Sequence, residues 1–318
     1  MTQRGKKIAA ARHDRAAVRQ KPAAARQGGS LRHPDPLLYE DLLRRALLED
    51  LGGAGDLTTD AIVEETARAR ASFIARRAGR IAGLRVALDT LRLLDATLEA
   101  EIANGDGADV EAGAVLARIE GAARSILTGE RVALNLLGRL SGIATATRDL
   151  TRVIAPHRAR IADTRKTTPG LRLLEKYAVR VGGGANHRFG LDDAILIKDN
   201  HVAIAGGVRR AMERARAAAG HTTKIEVEVD SLEQLEQALA LGADLVLLDN
   251  FTIDQLTEAV RRTAGRAVLE ASGGISAASA AAIAATGVDL LSLGWLTHSA
   301  PALDVALDFE ARRSRATS

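Results

Sequence analysis

The stretch IEVEVDSLEQLEQALALGADLVLLDNF, residues 225–251, decides the fold. It opens with a short apolar run, Ile225–Val229, that ends in polar residues. Ser231 with Gln234 three positions later is the signature of a capped helix start, and Gly242 sits where that helix should stop. A second apolar run, Leu245–Asp249, follows, and Thr252 with Gln255 begins another helix. One strand, one helix and two loops in about 20 residues make the repeating unit of a parallel sheet.

The unit recurs on both sides. Comparable runs occupy 160–163, 194–198, 267–271 and 290–293; from Ile225 onward the starts lie 20 to 23 residues apart, and Gly287 closes the last helix. Six units are predicted in all. Eight would close a barrel, so six leave an incomplete α/β barrel or an open doubly wound sheet. No G-x-G-x-x-G and no P-loop follows any run, which weighs against the open nucleotide-binding form.

Upstream the pattern changes. Residues from Asp35 to about Leu48 read as an amphipathic helix ended by Gly52 and Gly53, Ala69–Arg76 alternates as a strand, and a helix is expected at about Leu84–Asp95. Glu101–Arg118 reads as short strands and turns; its GDGADVEAG run suggests a lipoyl-carrier hairpin, but no lysine lies between Asn104 and Gly121 to carry a prosthetic group. With 318 residues, two domains are the expectation.

Composition narrows the function. At 47% hydrophobic and 26% charged the chain is globular, and the absence of cysteine excludes disulfides, thiolate metal sites and a cysteine nucleophile. No run of 18 or more strongly apolar residues is present, so neither a membrane span nor a signal-peptide core is predicted, and a cytoplasmic location is expected. Residues 1–33 hold nine Lys or Arg against Asp14, a charge of +8, so the +4 total leaves −4 on the other 285 residues. The mildly acidic body argues against nucleic acid as partner. The tail is expected to be disordered, as a solvated extension or product of an upstream start codon, a polyanion-binding arm or a transit peptide; the first reading predicts full activity without residues 1–30.

In either parallel architecture the active site lies at the carboxyl ends of the strands. Those ends carry Asp163, Arg165 and Lys166; Lys198, Asp199 and Asn200; Glu228 and Asp230; Asp249 and Asn250; Ser272, Gly273 and Gly274; and Gly294. The loop after Gly182–Gly184 adds Asn186, His187 and Arg188. Cations therefore gather on early strands, acids on middle ones, and on late ones small residues whose backbone N–H groups can approach an anion. Such a site suits a polyanion and a metal. Taken singly, each feature has a plainer reading: Lys198 as a loop charge, Ser272–Gly274 as a helix-entry turn. Glu226 and Glu228 alternate on one strand, and only one is expected to face inward, the other pairing at the surface.

Several long segments, in order, carry a resemblance: IADTRKTTPGLR from 161, VGGGANHRFGLDDAILIKDNH from 181, IEVEVDSLEQL from 225, LVLLDNF from 245, LEASGGI from 269, SLGW from 292 and ERVALNLLGRLSGIAT from 130. Over about residues 35–310 the chain resembles the quinolinate phosphoribosyltransferases, the decarboxylating nicotinate-nucleotide pyrophosphorylases of NAD biosynthesis. The resemblance implies an α/β fold with a basic tail at 1–33, an N-terminal α/β sandwich at 34–140, an incomplete six-stranded α/β barrel at 141–300, and a segment at 301–318 returning to the first domain. It implies a homodimer or larger homo-oligomer in which Arg131 reaches the neighbouring subunit's site. It places Thr164, Arg165, Lys166, His187, Arg188 and Lys198 around quinolinate, Glu228 and Asp249 near the ribose and magnesium, through water if at all, and Ser272, Gly273, Gly274 and Gly294 on phosphate. Lys166, Lys198, Glu228 and Asp249 are its candidate catalytic residues and Mg2+ its cofactor.

The chemistry agrees with that assignment. Arginine forks bind carboxylates bidentately, and quinolinate has two carboxylates. The other substrate, 5-phosphoribosyl 1-pyrophosphate, is a polyanion whose C1 becomes positive as pyrophosphate leaves, which fixed carboxylates stabilise. Rival expectations are a related transferase acting on nicotinate without decarboxylation, a Schiff-base lyase using Lys198 or Lys166, and a nucleic-acid binder using the tail.

Overall fold

Residues 32–310 are described by the computed structural model of the chain; residues 1–31 of the basic tail and 311–318 of the last segment lie outside the described residues. A 3-10 turn at Pro36–Leu38 leads into helix α1 (Glu40–Leu51), which Gly52 ends, and α2 (Leu57–Ile62) follows. Then come β1 (Arg68–Ala75), β2 (Gly79–Arg80), α3 (Leu84–Arg92), β3 (Glu99–Ile102), β4 (Asp109–Val110) and β5 (Val115–Ala122). β1 and β5 pair antiparallel, with β3 on the far side of β5. Buried Phe73, Leu116 and Ile119 cover α3 through Leu84, Leu88 and Leu91.

Helix α4 (Ala123–Val153) joins the two halves. At 31 residues it is about 46 Å long. Ile126, Ala133 and Leu137 pack under the N-terminal sheet, Leu136, Leu140 and Ile143 pack against α1 and the helix after β6, and Leu150 joins the core of the second half.

The second half alternates strand and helix: β6 (Arg160–Ala162), α5 (Arg172–Val181), β7 (Ile195–Ile197), α6 (Asp199–Ala205), α7 (Val208–Ala218), β8 (Ile225–Val229), α8 (Leu232–Ala240), β9 (Leu245–Asp249), α9 (Ile253–Thr263), β10 (Val268–Ser272), α10 (Ala280–Ala285), β11 (Leu290–Ser292) and α11 (Trp295–His298). The six strands form one parallel sheet in the order β6-β11-β10-β9-β8-β7. Neighbours in the sheet are neighbours in the chain, except that the first strand pairs with the last. A doubly wound sheet would reverse direction at a switch point. This one runs round as an incomplete barrel, with the gap between β6 and β7. Ala185 lines the free edge of β6, donating to Ile161 O at 2.8 Å and accepting from Asp163 N–H at 3.2 Å.

Alternation sorts the strands. Val227, Val229, Val246, Leu248, Leu269, Ala271 and Leu291 pack outward against the helices. Leu196, Glu228, Leu247, Glu270, Ser272 and Ser292 line the interior pocket. Of the two expected capping boxes, Thr252–Gln255 is reciprocal, whereas Ser231 caps Gln234 N–H but Gln234 Oε1 accepts from Asp230 instead. After α11 the chain crosses α4, and β12 (Val305–Phe309) pairs antiparallel with β1. Gly138 and Gly142 let it lie flat there: a Cβ on Gly142 would stand 2.0 Å from Pro301 O.

Candidate active site

A pocket of about 610 Å³ opens at the carboxyl ends of the barrel strands. It is lined by Thr164, Arg165, Lys166, His187, Arg188, Lys198, Glu228, Asp249, Ser272, Gly273 and Gly274 from the expected set, and by Leu196, Leu247, Asn250, Glu270 and Ser292 besides. Of the expected residues two lie elsewhere. Arg131 is exposed on α4 and does not line the pocket, and Gly294 underlies it, close enough to Lys166 that a Cβ would meet its Cδ at 2.7 Å.

The loop after β6 is shaped before it is charged. Thr164 Oγ1 accepts from Lys166 N–H at 3.0 Å, and Thr297 Oγ1 donates to Lys166 O at 2.8 Å. Thr168 donates its N–H and hydroxyl to the buried Glu175 of α5, which Arg139 of α4 holds at 2.8 Å. This leaves Arg165 and Lys166 facing the pocket. Arg165 Nε and Arg188 Nε are buried and meet no acceptor among the described residues. Burial and the neighbouring Arg165 lower the Arg188 pKa, so both guanidiniums are held together at a cost that an anion would relieve.

His187 stands over two acids. Its Nε2 lies 3.0 Å from Glu226 Oε2 and 3.6 Å from Glu270 Oε1, and its Nδ1 accepts from Arg188 N–H at 2.7 Å, the geometry of the Nε2–H tautomer. Burial opposes charge on the ring, but the hydrogen bond to Glu226 and the field of Glu270 outweigh it and raise its pKa. Burial and the nearby Glu226 push Glu270 up to about 7. The expectation that only one of Glu226 and Glu228 faces inward is corrected here: residues two apart on a strand share a face, so Glu226 meets His187 while Glu228 faces Lys198 Nζ at 3.9 Å. Glu270 does not end its apolar run, so strand ends alone do not reveal it; the signal the sequence offers is an acid two positions before Ser272 on an otherwise apolar strand.

Glu228 and Asp249 stand on adjacent strands, and burial, then the Asp249 charge, raise the Glu228 pKa against the pull of Lys198. Gly273, at φ +90°, presses on Asn250, whose Oδ1 would lie 2.1 Å from a Cβ, so only glycine brings this backbone so close to the pocket. The Schiff-base alternative loses its premise: Lys166 and Lys198 are exposed, and Lys176, the buried lysine among the described residues, is ion-paired.

A barrel mouth where cations, carboxylates and a glycine loop line one pocket defines an enzyme site for small polyanions. Residues 56–141 match the quinolinate phosphoribosyl transferase N-terminal domain and residues 143–308 the C-terminal domain. The chain belongs to the quinolinate phosphoribosyltransferase family. It is 46% identical over 272 residues to a probable nicotinate-nucleotide pyrophosphorylase (carboxylating) of Bacillus subtilis, covering 86% of this chain and 93% of that protein. It is 49% identical over 280 residues to the nicotinate-nucleotide pyrophosphorylase (carboxylating) of Mycobacterium leprae, covering 84% and 96%. The crystal structure of NadC from Streptococcus pyogenes, 42% identical, superposes with a TM-score of 0.84 over 88% of this chain and all of that one. Among the described residues no helix is long and apolar enough to cross a membrane.

Proposed function

We propose that the protein transfers the phosphoribosyl group of 5-phosphoribosyl 1-pyrophosphate to quinolinate with decarboxylation, yielding nicotinate mononucleotide, CO2 and pyrophosphate. The observation that carries this is the pair of buried, unpartnered guanidinium nitrogens of Arg165 and Arg188 in one pocket, a site preorganised for carboxylates. Arg165 and Arg188 bind the two carboxylates, with His187 and Lys198 at their edges. Ser272–Gly274 and Lys166 take phosphate oxygens.

The pyridine nitrogen forms its bond to C1 as the C1–O bond to pyrophosphate breaks. Glu228 and Asp249 stabilise the positive charge that passes through C1. The alkylated ring then accepts the electron pair released as the adjacent carboxylate leaves as CO2, and a proton replaces it. The hard oxygens of Glu228 and Asp249 fit a magnesium ion held through water, which would neutralise the leaving pyrophosphate. The exposed Arg131 supports a homodimer, or a larger homo-oligomer, in which α4 of one subunit completes the other's pocket. A cytoplasmic enzyme fits these substrates.

The test is to incubate the protein with quinolinate, phosphoribosyl pyrophosphate and Mg2+ and follow CO2 and nicotinate mononucleotide together. Equal yields of both, lost when any component is omitted, are expected. Product from nicotinate without CO2 would point to the non-decarboxylating transferase instead.

A further inference from the structure

Asp163 and Lys176 are both 0% exposed, yet neither lines the pocket. Asp163, just past β6, accepts from Lys176 Nζ of α5, from the N–H of His187 at 2.9 Å and from Asn186 Nδ2 at 2.5 Å. Lys176 Nζ also donates to the carbonyl of His187 at 3.0 Å, and Asn186 Nδ2 to Lys176 O at 2.9 Å. The two halves of one buried ion pair thus hold both backbone groups of a single residue, the N–H by the acid and the carbonyl by the base. Beyond that residue the chain delivers Arg188 to the pocket.

Stability does not account for such a pair. Burial pushes the Asp163 carboxyl up and the Lys176 ammonium down, and their mutual attraction only partly offsets this. Apolar groups of similar size generally serve a core as well as a buried pair does. What they cannot supply is an acceptor and a donor aimed at the backbone N–H and carbonyl of one residue, in the gap between β6 and β7 where Ala185 alone bridges to the sheet edge among the described residues.

We infer that the Asp163–Lys176 pair positions the quinolinate half of the site: it fixes the backbone at His187 so that His187 and Arg188 meet the substrate, without touching it. This rests on the reading that those two residues bind quinolinate. Asp163→Leu with Lys176→Met removes both charges together with the acceptor and the donor that hold the backbone of His187, and leaves no lone buried ion; Lys176→Met alone removes the donor to the carbonyl and, with it, the partner of Asp163. Each is to be measured by thermal melting and by initial rates with both substrates varied, beside His187→Ala.

The expected result is a quinolinate KM raised about tenfold, the loss of roughly one hydrogen bond's worth of positioning, with the phosphoribosyl pyrophosphate KM within about twofold. A merely structural role would lower the melting temperature and the amount of active enzyme but leave both KM values alone. If His187→Ala raises the quinolinate KM and the neutral-pair variant, folded, does not, the inference is overturned while the reading of the pocket stands. If His187→Ala leaves that KM unchanged, the reading fails and the inference with it.

Discussion

Arg165 presents a buried Nε that meets no acceptor among the described residues. Lysine there would keep the charge and lose the fork, so Arg165→Lys should weaken quinolinate binding by about tenfold or more in a calorimetric titration; unchanged affinity would remove the bidentate role. The pH dependence of stability turns on Glu270. Its carboxyl rises from 4.5 to about 7 on folding, so the folded chain takes up a proton between those values and stability falls as pH rises through that window. The raised pKa of His187 acts with the same sign. Glu270→Gln should flatten this fall by about 1–3 kcal/mol between pH 4.5 and 7.5, read by urea unfolding at the two pH values. Neither Glu270 nor the partner of Glu226 was legible from single strand ends. An inward acid is visible in sequence only when the period-two register is followed back along the strand, and its buried partner comes from another element.

Elements were far more legible than contacts between them. The apolar runs at 225–229 and 245–249 coincide with β8 and β9, because caps and glycines bound them on both sides. The helix expected from Asp35 splits into a 3-10 turn and α1, and that expected to Asp95 ends at Arg92, since end turns are governed by local hydrogen bonds that periodicity does not register. Lys176 illustrates the limit: α5 is buried on nearly every side, so no polar stripe marks which charge points in. Two glycines test the packing. Gly142→Ala would drive a Cβ against Pro301 O and should destabilise the protein by about 2–4 kcal/mol in denaturant unfolding. Gly294→Ala meets only the flexible Lys166 side chain, so the melting temperature should hold while turnover falls as Lys166 is displaced.

At the scale of the molecule, β12 and α4 bind the N-terminal sheet to the barrel, and the outcome is one site whose charges come from every barrel strand except β11, with Arg131 exposed on α4 outside it. If subunits share sites, Arg131→Ala and Arg165→Ala, each nearly inactive, should regain part of the activity when mixed and allowed to exchange, up to about a quarter from the statistics of one intact site per mixed dimer. Stable mixed dimers without recovery would rule sharing out. The count of the strands was legible from spacing, while their order and closure were not: the pairing of β6 with β11 distinguishes a barrel from an open sheet. If the barrel mouth gathers quinolinate against Arg165 and Arg188, a crystal of the protein soaked with quinolinate will show it there. Density for the dicarboxylate within hydrogen-bond reach of both guanidiniums is the predicted result; density elsewhere, with that pocket holding only solvent, would contradict it.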